Sequence, residues 1–115
     1  MPDARVLDGT LAALADPTRR RVVELLRERP RRAGDLAAAV RVSPPAMSRH
    51  LRVLRTCGLV EARGVDEDAR LRVFTLRRER FDELEAWLRE VQTFWAGQIG
   101  AFKAHAERGG GKRKR

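Results

Sequence analysis

The sequence predicts a mainly α domain with one small β-hairpin. Three observations carry this. Apolar residues recur at i, i+3, i+4 and i+7 in most of the 115-residue chain. Only two short runs, residues 59–63 and 70–76, alternate as half-buried strands do. Asp, Ser, Pro and Gly stand where a helix has to begin or stop.

The first helix runs from about Asp3 to Leu14, with Val6, Leu7, Leu11 and Leu14 at helical spacing. It is too short to be stable alone and must pack on something. Asp16-Pro17-Thr18 restarts the chain, with Asp16 as N-cap and Pro17 in the first turn. That second helix reaches about Arg29, turns Val22, Val23, Leu25 and Leu26 inward, and stops at Pro30. A short third helix covers Arg32 to Val40, with Leu36, Ala37 and Val40 inward.

After a tight turn at Arg41-Val42, a fourth helix starts at Ser43. The Ser43 hydroxyl caps it, and Pro44 occupies the position whose missing N–H costs nothing. Met47, Leu51 and Leu54 form its apolar stripe, and the opposite face carries Pro45, Ser48, Arg49, Arg52 and Arg55. Gly58 stops it. Two helices joined by so short a turn form a helix-turn-helix, whose second helix enters the major groove of DNA. The strands at 59–63 and 70–76, joined by a polar loop at 64–69, then form a wing.

From about Arg78 to Ala106 runs a long helix. Phe81, Leu84, Leu88, Val91, Trp95 and Phe102 fall near one stripe, widened by Trp87, Phe94 and Ile99. The division expected is a winged helix-turn-helix domain over 1–106 and a disordered basic tail over 107–115.

The net charge is +9, unevenly spread. Residues 1–60 hold 12 Lys+Arg against 6 Asp+Glu, and 61–111 hold 9 against 10. The last four residues, Lys112 to Arg115, are all basic. The excess lies around the fourth helix and in the tail, which suits a polyanion. Double-stranded DNA is therefore the expected partner. Its contacts are assigned to Ser43, Pro45, Ala46, Ser48, Arg49, His50, Arg52 and Arg55 on the fourth helix. Arg63, Arg70 and Arg72 on the arms of the wing are assigned to phosphates, because its tip, Asp66-Glu67-Asp68, is acidic; the alternative is a wing that stays off DNA.

Five of the six aromatic residues lie in the last helix. Each side chain buries on the order of 150–250 Å², more than so small a chain can cover by itself. A second copy is the expected cover, giving a two-fold homodimer through Leu7, Leu11, Leu84, Leu88, Val91, Trp95 and Phe102. Two recognition helices about one DNA turn apart then suit an inverted repeat.

Three local motifs in this order resemble the ArsR/SmtB family of bacterial winged-helix repressors. They are Leu14-Ala15-Asp16-Pro17-Thr18-Arg19-Arg20, Ser48-Arg49-His50-Leu51-Arg52-Val53-Leu54 and Cys57-Gly58-Leu59-Val60. The resemblance covers about residues 5–102. It implies a homodimeric repressor that leaves DNA when an effector arrives.

The family's metal boxes are missing. The third helix holds no cysteine, and the ligand positions of the last helix fall on Asp82, Leu84, Trp95 and Gln98. The chain has two histidines and one cysteine, short of the convergent N/S ligands that a tight site needs. No metal and no cofactor are expected; His105 with Glu107 would need ligands from elsewhere. Cys57 is read as a small packed residue. Three triggers stay open: an unknown small-molecule effector near Trp87, Phe94 and Trp95, a partner protein, or none.

No apolar run is long enough for a membrane span, so no membrane is expected and the cytoplasm is the expected compartment. No nucleophile–base pair and no phosphate-cradling glycine loop supports an enzyme. The rival reading is a non-specific nucleic-acid binder or protein-interaction module without operator recognition.

Overall fold

A computed structural model describes residues 3–64 and 69–109, with side chains through Ala106. The elements in order are α1 (Ala4–Leu14), α2 (Pro17–Glu28), β1 (Arg31–Arg32), α3 (Ala33–Val40), α4 (Pro44–Thr56), β2 (Val60–Arg63), a 3₁₀ turn (Ala69–Leu71), β3 (Val73–Leu76) and α5 (Glu79–Gly109). The fold class is the expected one, mainly helical with a small antiparallel sheet.

The caps act as the sequence predicts. The Asp16 carboxylate accepts from the Arg19 amide at 3.0 Å, and the Ser43 hydroxyl accepts from the Ala46 amide at 3.2 Å. At the end of α4, Gly58 takes φ +78°, which a residue with a Cβ adopts only under strain. Gly58 N–H then donates to the Arg55 carbonyl and Leu59 N–H to the Leu54 carbonyl, which closes a Schellman stop and aims the chain into β2.

The core lies where α2, α3, α4 and the sheet meet. Val22, Leu25 and Leu26 of α2 pack with Leu36 and Ala37 of α3 and with Met47, Leu51 and Leu54 of α4. Leu59, Val60 and Phe74 close it from the sheet side. Only α1 turns differently from its leucine pattern. Its buried residues are Thr10 and Ala13, while Leu11 is exposed. Small residues let α1 approach closely, and the Thr10 hydroxyl is satisfied by the Val6 carbonyl at 3.1 Å.

Three boundaries also differ from the sequence expectations. Arg31–Arg32 forms a short third strand, and the sheet order is β1-β3-β2. Arg31 pairs with Phe74 and Arg32 with Val73, so Arg32 precedes α3 as its N-cap and does not open the helix. The second hairpin strand begins at Val73, because residues 69–71 form the 3₁₀ turn, so Arg70 lies outside the ladder. The last helix continues through Gly109, past the boundary expected at residue 106. Residues 110–115, most of the expected tail, and the acidic wing tip at 66–68 lie outside the described residues.

At 31 residues, α5 is about 46 Å long and makes the molecule elongated, 71 Å in its longest dimension. No helix among the described residues is long and apolar enough to cross a membrane.

Candidate nucleic-acid interface

α4 presents the face that its spacing predicts. Met47, Leu51 and Leu54 are buried, and Pro45, Ser48, Arg49, Arg52 and Arg55 are exposed. Ala46 and His50 sit half-buried, His50 beside Arg19 of α2. The Ser43 hydroxyl is at the exposed entry of the helix, where it is already engaged in capping.

What marks this helix is a run of three arginines with no acidic residue among them. Several arginines elsewhere pair with neighbouring carboxylates: Arg21 with Glu24, Arg31 with Glu28, Arg80 with Glu83 and Arg89 with Glu85. Among the described residues no carboxylate pairs with Arg49, Arg52 or Arg55. α4 has no acidic residue of its own. Three like charges on neighbouring turns repel one another, and the helix tolerates this only because the solvent screens them.

An open groove of about 500 Å³ lies on the wing side of α4. Ser48, Arg52, Arg55 and Thr56 form one wall, Arg72 the other, and Leu51 with Phe74 the apolar floor. The structure thus brings Arg72 together with the α4 arginines. Arg63 differs: its Nε donates to the Glu61 carboxylate at 2.6 Å, so Arg63 is engaged within its own strand. Arg70 stands in the 3₁₀ turn.

Sequence reading missed Arg19. It belongs to α2 yet is half-buried, and its guanidinium donates to the Ala13 carbonyl at 2.7 Å. The same group lies 3.4 Å from His50 Nδ1. The signal was present in Asp16-Pro17-Thr18-Arg19: an arginine that also supplies the capped amide is held near the helix start. Asp16 is held below the ordinary carboxylate range, first by that Arg19 amide.

A second face is apolar. On α5, Leu84 and Val91 are half-buried, whereas Leu88, Trp95 and Phe102 are 45%, 58% and 73% exposed. Phe94 packs edge-on against Trp95 at 6.2 Å, and both remain open to solvent. Leu7 is half-buried on α1, which packs against α5. Trp87 is half-buried on its own turn of α5.

Cys57 is half-buried at the end of α4, its sulfur against the open side of Gly9. Among the described residues no three His, Cys, Asp or Glu side chains gather in one place. The side chain of Glu107 lies outside the described residues.

Residues 16–62 match the family model described as bacterial regulatory protein, arsR family. The chain is similar to the HTH-type transcriptional regulator Rv2034 of Mycobacterium tuberculosis, 48% identical over 60 residues, covering 52% of this chain and 56% of that protein. It is also similar to the transcriptional repressor SmtB homolog of Synechocystis, 40% identical over 90 residues, covering 74% of this chain and 68% of that one. Among solved structures, the ArsR family transcriptional regulator RHA00566 superposes with a TM-score of 0.75 at 32% identity. That superposition covers 83% of this chain and 95% of the other. The match to the Mycobacterium protein spans little more than half of its length.

Proposed function

The chain belongs to the arsR family of bacterial regulatory proteins, and from that premise we propose that it is a homodimeric, sequence-specific DNA-binding repressor. α4 lies in the major groove and reads an inverted repeat. The observation that carries the reading is the exposed face of α4, where Arg49, Arg52 and Arg55 have no carboxylate partner among the described residues. Ser48 and Arg49 face base edges near the helix start, and Arg52, Arg55 and Arg72 face phosphates. Pro45 and Ala46 shape the contact at the entry, and Ser43 lends its helix start. Arg63 reaches a phosphate only by leaving Glu61, and Arg70 sits beside it on the wing.

The uncovered apolar stripe of α5 supports the dimer. Trp95 and Phe102 lie too far along the helix to reach the core of their own chain, and a second copy of α5, with Leu7 and Leu11 of α1, covers them. Leu84, Leu88 and Val91 complete the seam. The protein works in the cytoplasm, and its winged helix-turn-helix domain includes α5. It is not metal-responsive: Leu84 and Trp95 stand where relatives with a metal site on this helix need ligands. Its regulatory family is not one of enzymes.

Titration of the purified protein against the DNA upstream of its own gene and against a random duplex tests this. Binding to the first should be tighter by about 10³-fold or more at physiological salt. Equal affinities would leave a non-specific binder.

A further inference from the structure

Arg19 stands where α1, α2 and α4 meet. Its Nε donates to the Ala13 carbonyl at 2.7 Å and its Nη2 to the Ala12 carbonyl at 3.4 Å. Its Nη1 reaches His50 Nδ1 on α4, also at 3.4 Å. One planar group thus spans the last turn of α1 and the flank of the exposed helix. The cation is well placed at the C-terminal end of α1, where the Ala12 carbonyl is shared with the Ala15 amide at 3.2 Å.

A guanidinium carries donors only, so His50 Nδ1 is the acceptor in this contact. A neutral imidazole that accepts at Nδ1 carries its proton on Nε2. No described residue bonds to that Nε2. The ring is half-buried, and no unpaired polar side-chain atom is buried among the described residues. The Nε2–H therefore meets solvent, on the turn of α4 that also carries Arg49.

We propose that Arg19 is a positioning residue for DNA recognition: it fixes His50 as the Nε2–H tautomer and presents that N–H to the DNA on which α4 docks. The inference rests on α4 being the DNA-reading helix. A donor at this edge suits guanine O6 and N7 or a phosphate oxygen. The opposite tautomer would face those acceptors with a lone pair and form no bond to them. Lysine cannot replace the arginine, because a point-charge ammonium does not span the α1 carbonyls and the ring together. The same geometry makes the ring's position depend on where α1 ends, which joins the dimer side of the molecule to its DNA side.

The first test needs no variant. Long-range ¹H–¹⁵N correlation of the full chain at alkaline pH reads which His50 nitrogen holds the proton. Nε2–H is expected, and Nδ1–H would overturn the proposal. The second test is a double-mutant cycle on the duplex recovered by selection from a random pool. Arg19→Met and His50→Phe should each weaken binding by about tenfold, the worth of one hydrogen bond. The double variant should be no worse than His50→Phe alone, and Arg19→Lys should not restore affinity. Additive losses would overturn the proposal while leaving the DNA reading intact. A wild-type chain that selects no duplex would sink both.

Discussion

Arg55 of α4 and Arg72 of the wing line one groove, and among the described residues no carboxylate pairs with either. Two such cations beside one cleft suit a phosphate of a passing strand, with its sugar on the apolar floor of Leu51 and Phe74. Contacts of this kind hold register without reading sequence. Arg72→Ala should therefore weaken binding to selected and random duplexes alike. The slope of log K against log salt should flatten by up to about 0.9, the share of one neutralised phosphate. Weakening confined to the selected duplex would mean that Arg72 touches a base.

Asp16 gives a prediction with a pH sign. Its carboxyl is held below the ordinary range by the Arg19 amide it caps. A depressed carboxylate stabilises the fold above the unfolded pKa of about 3.9 and loses that contribution as pH falls through its lower folded value. Asp16→Ala should lower stability by about 1 kcal/mol at neutral pH. Thermal unfolding followed by circular dichroism should show the gap between variant and wild type closing on acidification. A gap that stays constant from neutral to strongly acidic pH would show that the capping charge is not its source.

Much of this was legible in the sequence, because its signals are local. Asp16, Ser43 and Gly58 mark helix ends within three or four residues of the groups they bond. The α4 stripe of Met47, Leu51 and Leu54 is a period that needs no partner to be seen. What escaped is non-local. β1 is two arginines, too short to alternate, and it exists because Phe74 and Val73 offer a ladder some 40 residues away. Arg41 takes φ +60° in the turn before α4 with no glycine to announce it. In α1, leucines drew the eye, while close packing chose Thr10 and Ala13. Arg19 reads as a surface arginine until α1 and α4 are folded around it.

The apolar stripe of α5 predicts an oligomeric state. Leu88 is 45% exposed, so a charge there does little harm to the single chain. In a dimer the same charge is buried without a partner. Leu88→Glu should sediment as monomer while keeping its helical content, and the wild type should sediment as dimer at micromolar concentration. A monomeric wild type contradicts the interface assigned to α5.

Metal ions provide a further check. Zinc, cadmium, nickel or arsenite, added to the protein–DNA complex, should leave affinity unchanged, and so should chelation. A stoichiometric ion that lowers affinity would overturn this, and His105 with Glu107 would be the first ligands to examine.

The central claim is that α4 reads base sequence, and binding-site selection from a pool of random duplexes measures it most directly. The expected result is enrichment of an inverted repeat with half-sites about one helical turn apart. Arg49→Ala, carried through the same selection, should relax the preference at one position of each half-site, at a cost of about 1–3 kcal/mol on the wild-type sequence. Duplexes recovered in quantity but without any common sequence would contradict the claim.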